Sequence, residues 1–278
     1  NDCSICMLSG MRDELPPIGF DRYRHLLGRV QRDGRFTKLI LSGAEVTTCP
    51  DLDRYIEYAA SLDYFDVIQI QTNGRKLHEP AYAKRLVACG VNEFFVSIHA
   101  TEEIHDAITG RKGSFAQTMA GIRTLSALDV NVISNTVLTG LNCGAVSPLF
   151  QQLAGERVSE IHLWNYFPMD RTDDADLVVS LADVLDLVPA VAPVAASAGI
   201  PLVLKAFPEC LSVDPAAIID SGYPETVLPN AFWKRFGECG FGTCPHRETC
   251  AARECWGLSG AYADRYGDER DLLEPRRE

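Results

Sequence analysis

The ten cysteines of this chain are its residues best suited to metal or redox chemistry, and they are unevenly placed. The chain begins NDCSICML, so Cys3 and Cys6 form a C-x-x-C pair, and five further cysteines crowd into residues 210–255. Paired thiolates at this spacing serve as half of a zinc site, as a redox dithiol or as part of an iron–sulfur site. The pair alone does not choose among these chemistries.

The C-terminal group of cysteines is denser and follows no helical or strand period. Cys239, Cys244, Cys250 and Cys255 are spaced C-x4-C-x5-C-x4-C, with Cys210 upstream. Glycine and proline lie between them, which indicates a site built from loops. Four thiolates satisfy tetrahedral zinc, but zinc knuckles usually carry tight C-x2-C pairs, and this group has none.

The composition limits the class of protein. The 278 residues are 46% hydrophobic, enough for a sizeable core, and the 38 acidic against 26 basic residues give a formal charge of −12. This charge disfavours a nonspecific nucleic-acid binder. No apolar run approaches the ~20 residues that span a bilayer, and no export signal precedes the first cysteines. We therefore expect a cytoplasmic protein without a membrane partner, whose thiols act as ligands rather than as disulfides.

Short apolar runs rich in β-formers alternate with amphipathic segments of helical length. The predicted strands are 37–42, 65–71, 92–99, 131–138, 159–165 and 201–205. The predicted helices are 50–62, 80–90, 114–128, 146–155 and 181–198. This alternation predicts a parallel sheet with its site at the carboxyl ends of the strands. The alternation stops after Lys205, so we expect one unit at 1–204 and a second at 205–278.

Polar residues follow four of these strands, where such a site would lie. The segments are LSGAEVT (41–47), QTNGR (71–75), VSIHA (96–100) and SNTVLTGLN (134–142). Singly, each polar residue is explained as a turn former, a helix cap or a satisfied buried amide. Their joint occurrence at successive strand ends indicates a ligand pocket.

In this order and spacing, the motifs resemble those of radical S-adenosylmethionine (radical SAM) enzymes over roughly residues 1–165. The resemblance implies an α/β fold, namely a partial (β/α)6 TIM-like barrel with a small cysteine-rich C-terminal iron–sulfur extension. Cys3 and Cys6 would be the second and third ligands of a CxxxCxxC loop that holds a [4Fe–4S] cluster. The first ligand would then lie two residues before Asn1, and the first strand of the barrel would also lie upstream.

The resemblance also implies contacts to S-adenosylmethionine. The implied cofactor-binding residues are Ser42, Gly43, Glu45, Asn73, Ser97, Asn135 and Thr136. Those around Glu45 would hold the methionine amino group, as in the GGEP segment of the family. Ser97, together with His99, would lie near the ribose or the substrate, and Asn135 would contact the ribose or the carboxylate. The segment HDAITGRKGSF (105–115) resembles the loop after the fourth strand of that barrel.

The tail resembles the SPASM and twitch segments that follow many radical SAM barrels and hold an auxiliary [4Fe–4S] cluster. One fully ligated cluster needs four thiolates, and the tail offers five. We rank Cys210, Cys244 and Cys250 first as its ligands and Cys239 next, with Cys255 as the spare.

A radical SAM enzyme cleaves S-adenosylmethionine reductively and takes a hydrogen atom from a substrate through a 5′-deoxyadenosyl radical. Tails of this type are common among peptide maturases, so the resemblance implies maturation of a ribosomal peptide, with an electron donor such as flavodoxin or ferredoxin. A sugar- or nucleoside-type metabolite is the alternative substrate. A different class is a non-catalytic iron–sulfur carrier or a zinc-stabilised binding protein, which would not need the polar strand ends of a cofactor pocket.

The remaining reactive residues have simpler interpretations. His105, Asp106 and His162 are expected to shape the structure or the substrate site rather than to bind metal. The isolated cysteines, expected as small core residues, are Cys49, Cys89 and Cys143. WNYFPMDRTDDAD (164–176), which follows the strand at 159–165, is the candidate substrate-facing loop.

Overall fold

The apolar runs form parallel strands that pair in chain order, from β1 to β7. The computed structural model describes residues 1–170, 172–252 and 254–277. The strands are β1 (Lys38–Leu41), β2 (Val67–Thr72), β3 (Glu93–Ser97), β4 (Asn131–Leu138), β5 (Glu160–Asn165), β6 (Leu202–Lys205) and β7 (Ala217–Asp220). The helices are α1 (Phe20–Asp33), α2 (Leu52–Ser61), α3 (Pro80–Cys89), α4 (Glu102–Thr109), α5 (Ser114–Ser126), α6 (Ser147–Ala154), α7 (Leu181–Ser197), α8 (Asn230–Glu238) and α9 (Gly260–Tyr266).

Alternation along the strands separates the core from the site, because successive side chains point to opposite faces of a sheet. Phe94 and Val96 of β3 are fully buried in the core that the helices cover. Ser97 points the other way and is paired in register with Asn135 of β4. We call this second face the inner face; its residues include Gln71, Phe95, Ser97, Asn135, His162, Trp164 and Lys205.

Helix α7 shows how the outer layer is fixed. The Ser180 hydroxyl accepts a hydrogen bond from the Asp183 N–H (3.0 Å) and donates to its carboxylate (2.7 Å), which caps the first turn. Val184, Val188 and Val191 follow at helical spacing and are fully buried. Burying a side chain of this size stabilises the fold by roughly 1.5–3 kcal/mol.

All six predicted strands and all five predicted helices are present, with bounds shifted by a few residues. The sequence analysis missed β7 and four helices, α1, α4, α8 and α9. Strand β7 has four residues between Pro215 and Gly222, too few to show an alternating pattern. It extends the sheet from within the segment assigned to the second unit. None of the described helices has both the length and the apolarity needed to cross a membrane.

Candidate functional site

The N-terminal cysteine loop lies against α4, beside the carboxyl end of β3. The backbone N–H groups of Asp2 and Ser4 donate to two carbonyls in the last turn of α4, at 2.8 and 2.9 Å. Cys3 is half-buried in this arrangement and Cys6 is exposed. Backbone bonds hold the loop, and the Cys3 thiol also has a hydrogen bond with the Asn1 side chain.

The ionisation of the Cys3 thiol is affected by its burial and by the neighbouring Cys6. Burial raises the pKa of Cys3, and the charge of Cys6 raises it further. A second thiolate is therefore disfavoured beside the first unless a cation lies near them, and metal coordination supplies that cation.

The carboxylate of Glu45 accepts hydrogen bonds from neighbouring residues of the protein. Its Oε1 accepts hydrogen bonds from the Thr47 N–H (3.2 Å) and hydroxyl (2.7 Å) and from the Thr72 hydroxyl (2.6 Å). Its Oε2 accepts from the Asn73 N–H (2.8 Å). Glu45 thus joins the loop after β1 to the turn after β2. Gly43 beside it is exposed, and nothing lies within 4 Å of the position that a Cβ would take.

The turn after β2 depends on glycine. Asn73 Oδ1 accepts from the Arg75 N–H (3.0 Å), and Gly74 adopts φ +73°. A Cβ at Gly74 would lie 2.6 Å from Val96 Cγ1. Helix α5 also approaches so closely that a Cβ at Gly121 would strike the Gly74 carbonyl. The Asn73 side-chain oxygen therefore helps to hold the turn.

A row of hydrogen bonds crosses the inner face from β1 to β3. The Ser42 hydroxyl donates to Gln71 Oε1 (2.7 Å), and Gln71 Nε2 donates to Gln69 Oε1 (3.3 Å). Gln69 Nε2 donates in turn to Glu93 Oε1 (2.6 Å), which Lys38 Nζ also contacts at 2.5 Å. This row gives the exposed Ser42 a fixed orientation at the carboxyl edge.

Ser97 and Asn135 are neighbours on the inner face, whereas Thr136 is not. The Thr136 hydroxyl is fully buried and donates to the Ile98 carbonyl at 2.6 Å. Asn135 Oδ1 is buried without a hydrogen-bond partner among the described residues. Such an acceptor costs about 1–3 kcal/mol unless a donor reaches it, so this position favours a ligand that carries a hydroxyl or an N–H group.

His99 points into the protein instead of towards a ligand. Its Nδ1 accepts from the Val137 N–H (3.2 Å), and His105 Nδ1 accepts from the His99 N–H (3.1 Å). Burial lowers the pKa of His99 to about 3 and that of His105 to about 4, so both rings are neutral. The Asn142 amide ties this region together by donating to the His99 (2.6 Å) and Val137 (2.9 Å) carbonyls. The sequence analysis included Asn142 in the segment 134–142 but did not single it out; an amide in the loop after β4 was the available signal.

Strand β5 carries three buried polar atoms that have no partner in the described part of the chain: His162 Nδ1, Trp164 Nε1 and Asn165 Oδ1. His162 Nε2 lies 2.7 Å from Glu160 Oε2. Burial lowers the pKa of His162 and outweighs the opposing hydrogen bond to Glu160. The inner face therefore has unused hydrogen-bonding capacity on β5 as well as on β4.

Lys205 extends this polar surface to β7. Its Nζ contacts Asp220 Oδ2 (2.6 Å) and the Gly222 carbonyl (2.8 Å), and lies 5.8 Å from the centroid of the Trp164 ring. Burial acts to raise the pKa of Asp220, but the hydrogen bond from Lys205 prevails and lowers it. The Lys205 side chain is only 10% exposed and that of Asp220 is 50% exposed, so the carboxylate faces open space.

Four of the five tail cysteines form one group. Burial raises the pKa of Cys210 to about 11, and the charges of Cys255, Cys244 and Cys250 add to the rise. Charges act on a thiol in this way only when they lie near it. The structure therefore places Cys244, Cys250 and Cys255, which share one loop, near Cys210 in a second loop.

Backbone pairing frames this group. An antiparallel bridge between Thr243 and Leu258 brings together the two ends of the segment that carries three of the thiols. The Glu209 and Gly257 N–H groups each donate to Cys255 Sγ at 3.4 Å. Two backbone donors therefore point at the sulfur of Cys255.

Cys239 lies apart from this group. It is fully buried at the end of α8, in an apolar cluster that includes Met11, Phe167 and Phe232. Burial raises its pKa to about 11. The geometry thus favours Cys255 over Cys239 as a ligand, the reverse of the order that spacing suggested.

The other cysteines divide between surface and core. Cys49 is exposed, so its expected place in the core is wrong: it lies in the loop between β1 and α2. Cys89 and Cys143 are half-buried against the core, as expected. In residues 1–170, 172–252 and 254–277, no three His, Cys, Asp or Glu side chains form a set that one metal ion could share.

The segment 164–176 is packed more tightly than its composition suggests. Phe167 and Met169 are buried in the same apolar cluster as Cys239. The Asp173 side chain is 6% exposed; it accepts two backbone N–H groups (3.0 and 2.7 Å) and contacts Arg265 of α9 at 3.2 Å. Arg171 lies outside the described residues.

The sequence profile of the Radical SAM superfamily matches residues 1–142, just over half of the chain. The chain belongs to the radical SAM superfamily. Members of this superfamily are enzymes that use a [4Fe–4S] cluster and S-adenosylmethionine.

Two proteins of Bacillus subtilis (strain 168) are similar in sequence. The antilisterial bacteriocin subtilosin biosynthesis protein AlbA is 26% identical over 129 residues, which cover 45% of this chain and 27% of AlbA. The sporulation killing factor maturation protein SkfB is 24% identical over 152 residues, which cover 55% of this chain and 36% of SkfB. This chain thus spans between about a quarter and just over a third of these relatives.

The crystal structure of Streptococcus suis SuiB bound to S-adenosylmethionine superimposes with a TM-score of 0.58 at 15% identity. The superposition covers 73% of this chain and 46% of SuiB. It shows a shared α/β partial-barrel fold.

The residues present fit the cofactors of the superfamily. A pair of thiols lies at the carboxyl edge of the sheet, where Gly43 leaves open space and Asn135 Oδ1 lacks a donor. The four grouped tail thiols fit an additional cluster in number and in donor type.

Proposed function

We propose that this chain forms the catalytic barrel and the auxiliary-cluster segment of a radical SAM enzyme that takes a hydrogen atom from a ribosomally made peptide. The observation that carries the proposal is the cysteine loop on α4, beside an inner face whose Asn135 and β5 atoms lack partners. The relatives add support for the substrate class. Their names connect AlbA with a bacteriocin and SkfB with a killing factor, and SuiB has been crystallised with its precursor peptide SuiA.

In this proposal, Cys3 and Cys6 hold the first cluster and the open space at Gly43 admits the amino acid part of S-adenosylmethionine. Together, the cluster and S-adenosylmethionine supply a 5′-deoxyadenosyl radical able to take hydrogen from an unactivated C–H bond. Ser97 and Asn135 orient the ribose through its hydroxyl groups. Glu45 acts as a positioning residue, because its carboxylate already holds the turn at Asn73.

The substrate lies against the inner face of β5–β7. Trp164 and Lys205 form one wall there, and the Lys205–Asp220 pair keeps a half-exposed carboxylate beside this surface. His162 Nδ1 and Trp164 Nε1 are the polar atoms that peptide groups would satisfy. A peptide suits this surface because its backbone offers both donors and acceptors.

The auxiliary cluster is held by Cys210, Cys244, Cys250 and Cys255, in a second unit spanning 205–278. Its first strand, β7, completes the sheet of the unit spanning 1–204, so the two units share a structural boundary at β6. We place the activity in the cytoplasm, where reducing conditions keep thiolates available as ligands.

The test is to purify the natural full-length protein without oxygen, reconstitute it with iron and sulfide, and record the reduced spectrum with and without S-adenosylmethionine. We expect about eight irons per chain, as two four-iron clusters require, and a change in one cluster signal on adding the cofactor. 5′-Deoxyadenosine should accumulate under reduction. Bound zinc, or a single cluster indifferent to S-adenosylmethionine, would contradict the proposal.

A further inference from the structure

Helix α1 carries a positive surface on an acidic protein. Residues 20–38 contain six basic and two acidic residues, although the formal charge of the whole chain is −12. Arg22, His25, Arg29 and Arg32 recur at steps of three, four and three, so they share one face of the helix. All four are exposed. We call these four residues the basic stripe.

The other side of α1 packs against the core, and the first turn of the helix lies at the carboxyl edge of the sheet. Tyr23 and Leu27 are buried, and the Tyr23 hydroxyl donates to the Tyr55 carbonyl (3.0 Å). The Tyr55 hydroxyl donates in turn to the Ile18 carbonyl (3.0 Å). Tyr55 lies in the first turn of α2, which follows the carboxyl end of β1. Helix α1 therefore begins at the same edge of the sheet as the cysteine loop.

The charge of the basic stripe is not compensated by ion pairs. Among the described residues, no carboxylate lies within ion-pair distance of Arg22, Arg29 or Arg32. Neighbouring cations differ: Arg35 pairs with Asp33 at 2.8 Å, and Arg54 lies 3.8 Å from the centroid of the Phe20 ring. An uncompensated positive face on a negative protein attracts acidic partners and orients their approach.

We propose that the basic stripe is the docking surface for a small acidic electron-carrier protein of the flavodoxin or ferredoxin class. This inference rests on the proposed function, because each reductive cleavage of S-adenosylmethionine consumes one electron. The carrier is oxidised by one electron, the cluster at Cys3 and Cys6 is reduced by one electron, and no covalent bond forms between the proteins. Cys6 is exposed, so the acceptor lies near the surface at the edge where α1 begins.

The test compares two triple charge reversals in the reconstituted full-length protein. The first, R22E/R29E/R32E, inverts the basic stripe. The matched control, K84E/R157E/K234E, makes the same change of charge at exposed, unpaired positions on other elements. Binding of a purified bacterial flavodoxin and of a ferredoxin is measured by calorimetry at low ionic strength. Cluster reduction by each reduced carrier, and separately by dithionite, is followed by stopped-flow absorbance.

We expect R22E/R29E/R32E to weaken carrier binding and slow carrier-dependent reduction at least ~10-fold, with the effect shrinking as salt is added. The control and the dithionite rates should match those of the unmodified protein. Equal losses in both variants would overturn the proposal. It would also be overturned if R22E/R29E/R32E no longer bound heparin or anionic vesicles but was still reduced by the carriers at the unmodified rate. Failure of the proposed function would look different, because dithionite would then reduce no cluster in any variant while calorimetry would still report docking.

Discussion

The two cysteine-bearing regions of this molecule are built in opposite ways. At the N-terminus, a half-buried and an exposed thiol lie on a loop that is fastened to α4 by its backbone. In the tail, three thiols of one loop lie near Cys210 in another, and two amide N–H groups point at the sulfur of Cys255. The first region also lies beside Asn135 and other buried atoms that have no hydrogen-bond partner among the residues the structure describes. An open edge next to unsatisfied polar atoms suits a metal group that must bind a small molecule, whereas an enclosed donor set suits one that stays fully ligated.

The largest expected effects come from single cysteine substitutions, which distinguish the two regions. We expect Cys6→Ala to abolish formation of 5′-deoxyadenosine, because the first cluster loses a ligand. Cys255→Ala should remove about four irons per chain and still preserve the spectral change caused by S-adenosylmethionine. Iron analysis and electron paramagnetic resonance of the reduced proteins check both outcomes.

Cys239→Ala is the matched control for the tail. Its thiol lies in an apolar cluster, so we expect full iron content and a loss of stability of about 1 kcal/mol from the small cavity. Loss of iron in Cys239→Ala with full content in Cys255→Ala would reverse our choice of ligands and restore the order that spacing suggested.

The next effect in size is an acid sensitivity that includes the first region. The folded-state pKa values of His99 (about 3) and His105 (about 4) lie below the usual 6.5, so the unfolded chain binds more protons in this range. Their contribution to stability is complete above pH 6.5 and is lost as pH falls below it. Between pH 7 and pH 5 we expect a loss of at most about 2 kcal/mol per histidine, measured by urea unfolding.

His105→Gln is the variant that tests this assignment. The Gln side chain can still accept the His99 N–H but does not titrate, so about half of the pH dependence that His99 and His105 contribute should disappear. An unchanged dependence would show that other groups govern the acid response.

The smallest effect concerns the glycine turn at the edge of the first region. Gly74→Ala combines a positive φ with a contact to Val96, whereas Gly34→Ala has nearly the same φ (+74°) and nothing within 4 Å. We expect Gly34→Ala to lower the free energy of unfolding by about 1 kcal/mol and Gly74→Ala by about 2–3 kcal/mol. Gly74→Ala should also weaken S-adenosylmethionine binding without changing the iron of the tail. Equal losses would show that the turn absorbs the extra methyl group.

The fold followed from the sequence wherever the apolar pattern was long enough to be distinctive. The run NVISNTVL predicted β4 with its observed bounds, 131–138. Strand β7, AIID, has only four residues and follows a proline, so neither length nor alternation distinguished it from a loop. Its place in the sheet depends on pairing with β6, a contact that local sequence does not encode.

The site was predictable to the level of residue type but not of orientation. Asn135 and Thr136 were both expected at the ligand, although neighbours on a strand point to opposite faces, and only Asn135 lies on the inner face. Glu45 was placed at the correct edge, but its engagement with Thr72 and Asn73 depends on the packing of two loops. The choice between Cys239 and Cys255 likewise depends on which thiol the aromatic cluster encloses, and spacing carries no information on that.

The position of Cys210 between β6 and β7 imposes an order on biosynthesis. As the chain leaves the ribosome, this cysteine emerges first, then the strand that ends the sheet, and only later the segment with the other three grouped thiols. If the proposed ligands are correct, the full set of sulfur ligands exists only after β7 has been synthesised. Insertion of the proposed auxiliary cluster would therefore follow the synthesis of β1–β7.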